Sequence, residues 1–141
     1  MNGLERFVRA QEGVYDTALA EIREGRKRTH WMWFVFPQLA GLGSSDMARF
    51  YGIADAAEAR AYLQHPVLGA RLEAIARALL ALDAPSAYAV FGSPDDVKLR
   101  SCATLFAAVS PPGSVFAQVL DRFFCSEPDP LTLERLRPRS G

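Results

Sequence analysis

The stretch Thr29-His-Trp-Met-Trp-Phe-Val-Phe-Pro37 decides the fold class of this 141-residue chain. Counting the imidazole, five rings occupy the seven positions from His30 to Phe36. Such a run is either a plug for a core or the wall of a pocket. Its aromatic residues and valine favour extended backbone, yet Thr29 can cap a two-turn helix that Pro37 ends. Over so short a run, periodicity does not separate strand from helix. The flanking sequence decides: if everything around it is helical, a lone strand has no partner for its ladder, and the run reads as a short helix.

Upstream, Leu4, Phe7, Gln11, Val14, Tyr15, Ala18, Leu19 and Ile22 share one helical face and Gly25 follows as a stop, predicting one amphipathic helix from Leu4 to about Glu24. Downstream, Ser44 or Ser45 caps a short helix that Gly52 ends, and Asp55 with Glu58 opens another that runs to about Gln64. Pro66 then starts a helix with Val67, Leu68, Leu72, Ile75, Leu79 and Leu80 on its apolar face. Ser86 to Phe91 forms one or two turns closed by Gly92. Ser93 caps, Pro94 starts, and Asp95 and Asp96 complement the dipole of a helix reaching about Val109. Ser114 caps a helix with Val115, Phe116, Val119, Leu120, Phe123 and Phe124 buried, and Asp129-Pro130 opens a last short one. The expectation is an all-α, compact single domain over residues 1–141, of about seven short to medium helices, with a loose tail from Pro138 to Gly141.

Composition limits the function. Hydrophobic residues make up 50% of the chain, and 16 basic side chains balance 16 acidic ones, which suits a globular protein and leaves no cationic surplus for gripping a polyanion. No nucleic-acid partner is therefore predicted. The N-terminus lacks the uninterrupted apolar stretch of a signal peptide, and no later segment approaches a membrane span, so a cytoplasmic protein without a membrane partner is expected. Cys102 and Cys125 form neither a CxxC unit nor a disulfide framework and read as buried free thiols, and the two histidines add no metal-ligand spacing. Neither a metal nor a cofactor is implied.

Several residues carry possible chemistry. Gly41-Leu-Gly-Ser-Ser45 is a glycine-rich entry to a helix; without the Lys-Ser/Thr of a P-loop it reads better as a turn and cap than as an anion cradle. Lys27 sits in a basic triplet just ahead of the aromatic run. Lys98 shares a helix face with Cys102, Leu105 and Val109, an uncommon place for an ammonium, where it snorkels, pairs with Asp95, or meets a ligand. Lone His65 before Pro66 reads as a capping or packing residue. His30 sets an imidazole, the side chain type suited to acid–base work, beside the indoles of the run, and a core imidazole explains it equally well. Trp31 and Trp33, two apart, point to different sides of a helix, so one indole is structural and the other is free to stack on a planar ligand.

The block His30-Trp-Met-Trp33 and the block Pro94-Asp-Asp-Val-Lys-Leu-Arg-Ser101, with further matches along essentially the whole chain, resemble the bacterial family known as domain of unknown function 1810, some of whose members carry the label calpastatin-like. Thr29 stands where that family usually has serine, and Ala103 where methionine is common. The resemblance implies a mainly helical fold. It also brings an association with NAD or ADP-ribose metabolism through neighbouring domains, and supplies no activity, cofactor or catalytic residue.

These readings converge on a small anionic ligand, nucleotide or ADP-ribose-like, bound where the His30 to Gln38 segment meets the Lys98 helix. Trp31 or Trp33 stacks on the ring, Lys27, Lys98 or Arg100 meets the anion, and Gln38 orients polar edges. Whether catalysis follows is open; if it does, His30 is the acid or base and Asp95 or Asp96 the carboxylate. Two alternatives stand beside this one: an interaction module using exposed aromatics, and an aromatic run that is purely core. Solvent exposure of the two indoles separates them.

Overall fold

The computed structural model describes residues 3–137, so the expected tail from Pro138 lies outside the described residues. Ten α-helices follow one another: α1 Glu5–Gln11, α2 Tyr15–Arg23, α3 Met32–Val35, α4 Asp46–Tyr51, α5 Ala56–Gln64, α6 Leu68–Leu80, α7 Ala87–Phe91, α8 Asp95–Ala108, α9 Val115–Phe123 and α10 Pro130–Leu136. The all-α expectation stands, with ten helices in place of about seven. Among the described residues extended pairing is limited to an isolated parallel bridge between Leu39 and Ile53, and no helix is long and apolar enough to cross a membrane.

Most helix starts follow the local signals. Ser45, Asp55, Ser86, Ser114 and Asp129 each accept a hydrogen bond from a first-turn backbone N–H. His65 does the same for α6, its Nδ1 accepting from the N–H groups of Val67 and Leu68. Other starts depart from expectation: α6 begins at Leu68, two residues beyond the expected Pro66, and α1–α2 and α8 differ as well. The predicted helix from Leu4 to Glu24 is two helices, because Gly13 adopts φ +72° and turns the chain while the apolar face continues through Val14 and Tyr15. Ser93 does not cap α8: Pro94 occupies the cap position without a side-chain bond, and Gly92 O accepts from Asp96 N instead.

Helix α8 is the hub. Its residues from Ser101 to Phe106 are all buried, and α5, α7, α9 and α10 pack around it. Helix α6 closes the other side against α2, α5 and α9. Burial holds the Cys102 thiol well above its ordinary pKa, which keeps it inert; Cys125, expected to be buried, is exposed.

The aromatic run forms a single turn, α3, wedged between α1 and α4. So short a helix leaves most of its backbone groups without helical partners. Gln11 satisfies one of them, its amide donating to Phe34 O at 2.8 Å and to Tyr62 Oη at 3.1 Å. Thr29 does not cap it; the threonine hydroxyl donates to Glu21. After Pro37 the chain runs beside Ile53, with Ile53 N donating to Gln38 O and Ala40 N to Ile53 O, both at 2.8 Å. Gly52 permits that approach, since a Cβ there would lie 2.7 Å from Ala40 Cα. This bridge fixes the 38–43 loop that borders the site.

Candidate functional site

The run's two indoles part company. Trp31 is 1% exposed and donates from Nε1 to Glu21 Oε1 at 2.9 Å. The same carboxylate accepts from Arg28 N at 2.7 Å, from Thr29 N at 3.0 Å and from Thr29 Oγ1 at 2.6 Å. Burial alone raises a carboxyl pKa; here the hydrogen bonds from Thr29, Arg28 and Trp31 outweigh it and hold Glu21 down at about 2. Lys27 completes this closed corner. Its ammonium bonds Thr29 O at 2.6 Å and Asp95 Oδ2 at 3.0 Å and lies 5.0 Å from the Trp31 ring centroid. Trp31 and Lys27 therefore hold the α2–α3 turn against α8 and offer little surface to a ligand.

Trp33 is only partly buried, and lines a cleft of about 230 Å³ with Gln38, Leu42, Gly43, Pro94, Val97, Lys98, Ser101, Asp129 and Leu131. Three segments build it: α3 with its following loop, the start of α8, and the start of α10. The Lys98 ammonium stands 3.9 Å from the Trp33 ring centroid, a cation–π contact, and 3.4 Å from Asp95 Oδ1. Asp95 is thus shared by two lysines. The carboxylate lies nearer the more buried Lys27, at 3.0 Å, and farther from Lys98, at 3.4 Å, on the cleft side. Among the described residues, neither Trp33 Nε1 nor the Gln38 carboxamide has a protein hydrogen-bond partner; both belong to cleft-lining residues.

Other predicted site residues lie elsewhere. His30 is exposed and is absent from the cleft wall. Asp95 is engaged on both oxygens, and Asp96 Oδ1 accepts from Val97 N at 2.9 Å in the first turn of α8. Arg100 donates from Nε to Glu127 O at 2.9 Å and from Nη2 to Pro128 O at 3.0 Å, so it fixes the loop that delivers Asp129 rather than lining the cleft. Among the described residues, no three His, Cys, Asp or Glu side chains converge as a metal site needs.

Sequence reasoning missed Ser101 and Asp129. Asp129 was read as a cap, which it is: Oδ2 accepts from Thr132 N at 3.2 Å and Thr132 Oγ1 at 2.5 Å, and additionally from Ser101 Oγ at 3.1 Å. Its second oxygen was the overlooked feature, and nothing in a linear pattern places Asp129 in the same cleft as Lys98. The apolar rim was missed as well: Val97 is 56% exposed and Leu131 60%.

Beyond Leu131 and Leu42, which line both, a second depression of about 410 Å³ continues along Gly41, Glu134, Arg135 and Arg137. Arg135 donates from Nε to Ala40 O at 3.1 Å, and Gly41, at φ +91°, has its Cα so close that a Cβ would fall on the guanidinium.

Fold and cleft together define an all-helical protein with a small surface site of mixed polarity. The chain belongs to the family described as Protein of unknown function (DUF1810), whose model matches residues 1–136. It is similar to the conserved hypothetical protein Rv1873 from Mycobacterium tuberculosis, known from a crystal structure, at 47% identity over 94% of this chain and 95% of that one, with a TM-score of 0.92. A search of curated proteins gave no match.

Proposed function

We propose that the protein binds a small planar anion in the Trp33–Lys98 cleft. The observation that carries this is the Lys98 ammonium, placed over an indole face with its one ion-pair partner among the described residues, Asp95, held more closely by Lys27. The anionic group meets Nζ, the ligand's flat body lies along Trp33 and Leu42, and Gln38 serves its polar edges. At about 230 Å³ the cleft is smaller than the ~300 to 1,000 Å³ usual for ligand pockets. A nucleotide or ADP-ribose-like molecule would set one end there and extend along the Gly41–Arg137 depression. His30, Asp95 and Asp96 support no catalytic assignment in this reading, because none has a free functional atom in the cleft wall.

A thermal-shift screen of nucleotides, NAD-derived metabolites and aromatic carboxylates tests the reading; a ligand at a hundred times its Kd adds about 2.7 kcal/mol of stability. Lys98→Met keeps the stem's packing against Trp33 and removes the charge. Binding should fall by about 1.5 to 3 kcal/mol, while unfolding stability moves by less than about 1 kcal/mol, the scale of a partly exposed ion pair. A destabilised variant with unchanged ligand affinity would make Lys98 a structural partner of Asp95 and remove the site.

A second reading has its own observation. Met47 and Phe50, three positions apart on α4, are 41% and 58% exposed, which suits contact with a partner protein. Concentration-dependent association abolished by Phe50→Ser would favour it.

A further inference from the structure

Lys98 and Asp129 line the same cleft with opposite charges and do not pair: among the described residues no ion pair joins them, although one would neutralise both. Each is instead oriented by its own neighbours. Lys98 is held by Asp95 and the Trp33 face. Asp129 has its Oδ2 occupied by Ser101 Oγ, Thr132 N and Thr132 Oγ1, its own N–H tied to Thr104 Oγ1 at 2.8 Å, and the preceding carbonyls clamped by Arg100. This leaves Oδ1 without a protein donor on a side chain that is otherwise fixed. A carboxylate has about four lone-pair positions to satisfy, and a helix cap requires only one of its oxygens.

We infer that Asp129 is a specificity-determining residue whose Oδ1 accepts a hydrogen bond from an N–H or O–H group of the ligand, so that the cleft selects planar molecules carrying an anionic group at one end and a donor at the other. This rests on the reading of the cleft as an anion site and narrows its ligand class. A purely anionic molecule satisfies Lys98 but brings no donor to Asp129, and its charge is repelled by the carboxylate. A purely cationic or neutral donor meets Asp129 and leaves Lys98 without an anion. An amphoteric molecule answers both groups at once, with Trp33, Leu42 and Leu131 as walls for its flat body.

Three probes of one ring size separate the contributions: benzoate, aniline and 4-aminobenzoate, titrated calorimetrically into the full chain. 4-Aminobenzoate should bind about tenfold or more tightly than benzoate, the scale of a hydrogen bond to a charged group, and aniline should bind most weakly. Asp129→Asn keeps an oxygen to cap α10, since asparagine caps as well as aspartate does, and turns the free acceptor into an amide that donates. In this variant the amino group's advantage should vanish while benzoate binds at least as tightly as to the parent, its repulsion by the carboxylate gone, which also reports that the cleft is still folded. Equal affinities of the two acids, or an advantage that survives in Asp129→Asn, overturns this inference and leaves the anion site standing. Benzoate binding indifferent to Lys98→Met overturns the anion site itself, and no binding of any probe up to its solubility overturns both.

Discussion

Trp31 and Trp33 are two positions apart in one helical turn, and they belong to different kinds of surroundings. Around Trp31 every polar tip is answered from within: the indole N–H, two backbone N–H groups and a threonine hydroxyl converge on Glu21, and Lys27 is neutralised by Asp95. Around Trp33 the polar tips are left open: among the described residues the indole N–H, the Gln38 carboxamide and Asp129 Oδ1 lack protein partners, and the Lys98 ammonium has only a 3.4 Å contact to a shared Asp95. A satisfied buried network stabilises and specifies the fold. Open groups at a solvent-filled cleft cost little in the free protein, because water serves them, and they are available to a ligand. The residue type is the same in both places; what differs is whether the protein completes its own hydrogen bonds.

Truncation breaks the comparison most sharply. Trp31→Ala should cost about 3 to 5 kcal/mol, the range for deleting a buried aromatic, with the Glu21 carboxylate left short of a donor. Trp33→Ala should cost less than about 2 kcal/mol, since its ring already contacts solvent. Urea midpoints measured at unchanged slope give both values. Comparable losses for the two would mean that the Trp33 side is as structural as the Trp31 side.

Acid titration probes the closed corner alone. Glu21 has its pKa lowered from the ordinary 4.5 to about 2 in the folded protein. A depressed carboxyl pKa contributes stability that is fully present above the unfolded value and is lost as pH falls toward the folded one. The gap corresponds to at most about 3 kcal/mol, disappearing between about pH 4.5 and pH 2. Glu21→Gln should be less stable at pH 7 and should show a flatter decline over that window. A variant that declines as steeply as the parent would place the acid sensitivity on other carboxylates.

The same contrast explains what the sequence made legible. Caps at Ser45, Asp55, Ser86, Ser114 and Asp129 involve a side chain and an N–H three residues on, so the local string contains all the information. The all-helical class follows from adding them up. The break at Gly13 was invisible because the apolar period continues across it, and only the left-handed backbone there splits the helix. In the site, Lys98 stood out as an ammonium on an apolar seam, and a partnership with Asp95 was foreseeable at three residues' separation. That Asp95 is shared with Lys27 depends on the α2–α3 turn folding back across α8, and that Asp129 faces the cleft depends on Arg100 clamping the 127–128 carbonyls. Neither relation has a periodic or short-range signature. Arg100 was singled out as a charge to meet an anion, yet its planar donors go to backbone oxygens, which a string of residue names does not reveal.

The smallest expected effect concerns Ser93, where a sequence signal and the structure disagree. Ser-Pro-Asp-Asp has the residue types of a helix start, and a capping serine replaced by alanine costs about 1 kcal/mol. In α8, however, the first-turn donors are served without it: Asp96 N donates to Gly92 O at 2.9 Å, and Val97 N to Pro94 O at 3.1 Å and to Asp96 Oδ1 at 2.9 Å. Pro94 itself has no N–H to satisfy. Ser114 is the control, because its hydroxyl oxygen does accept, from Ala117 N at 3.2 Å. Ser114→Ala should therefore lower stability by about 1 kcal/mol and Ser93→Ala by no more than a few tenths. If Ser93→Ala proves as costly as Ser114→Ala, the start of α8 is capped by Ser93 after all. The placement of Pro94, Val97 and Lys98 along the cleft would then need revision, and with it the position of the ammonium beside Trp33.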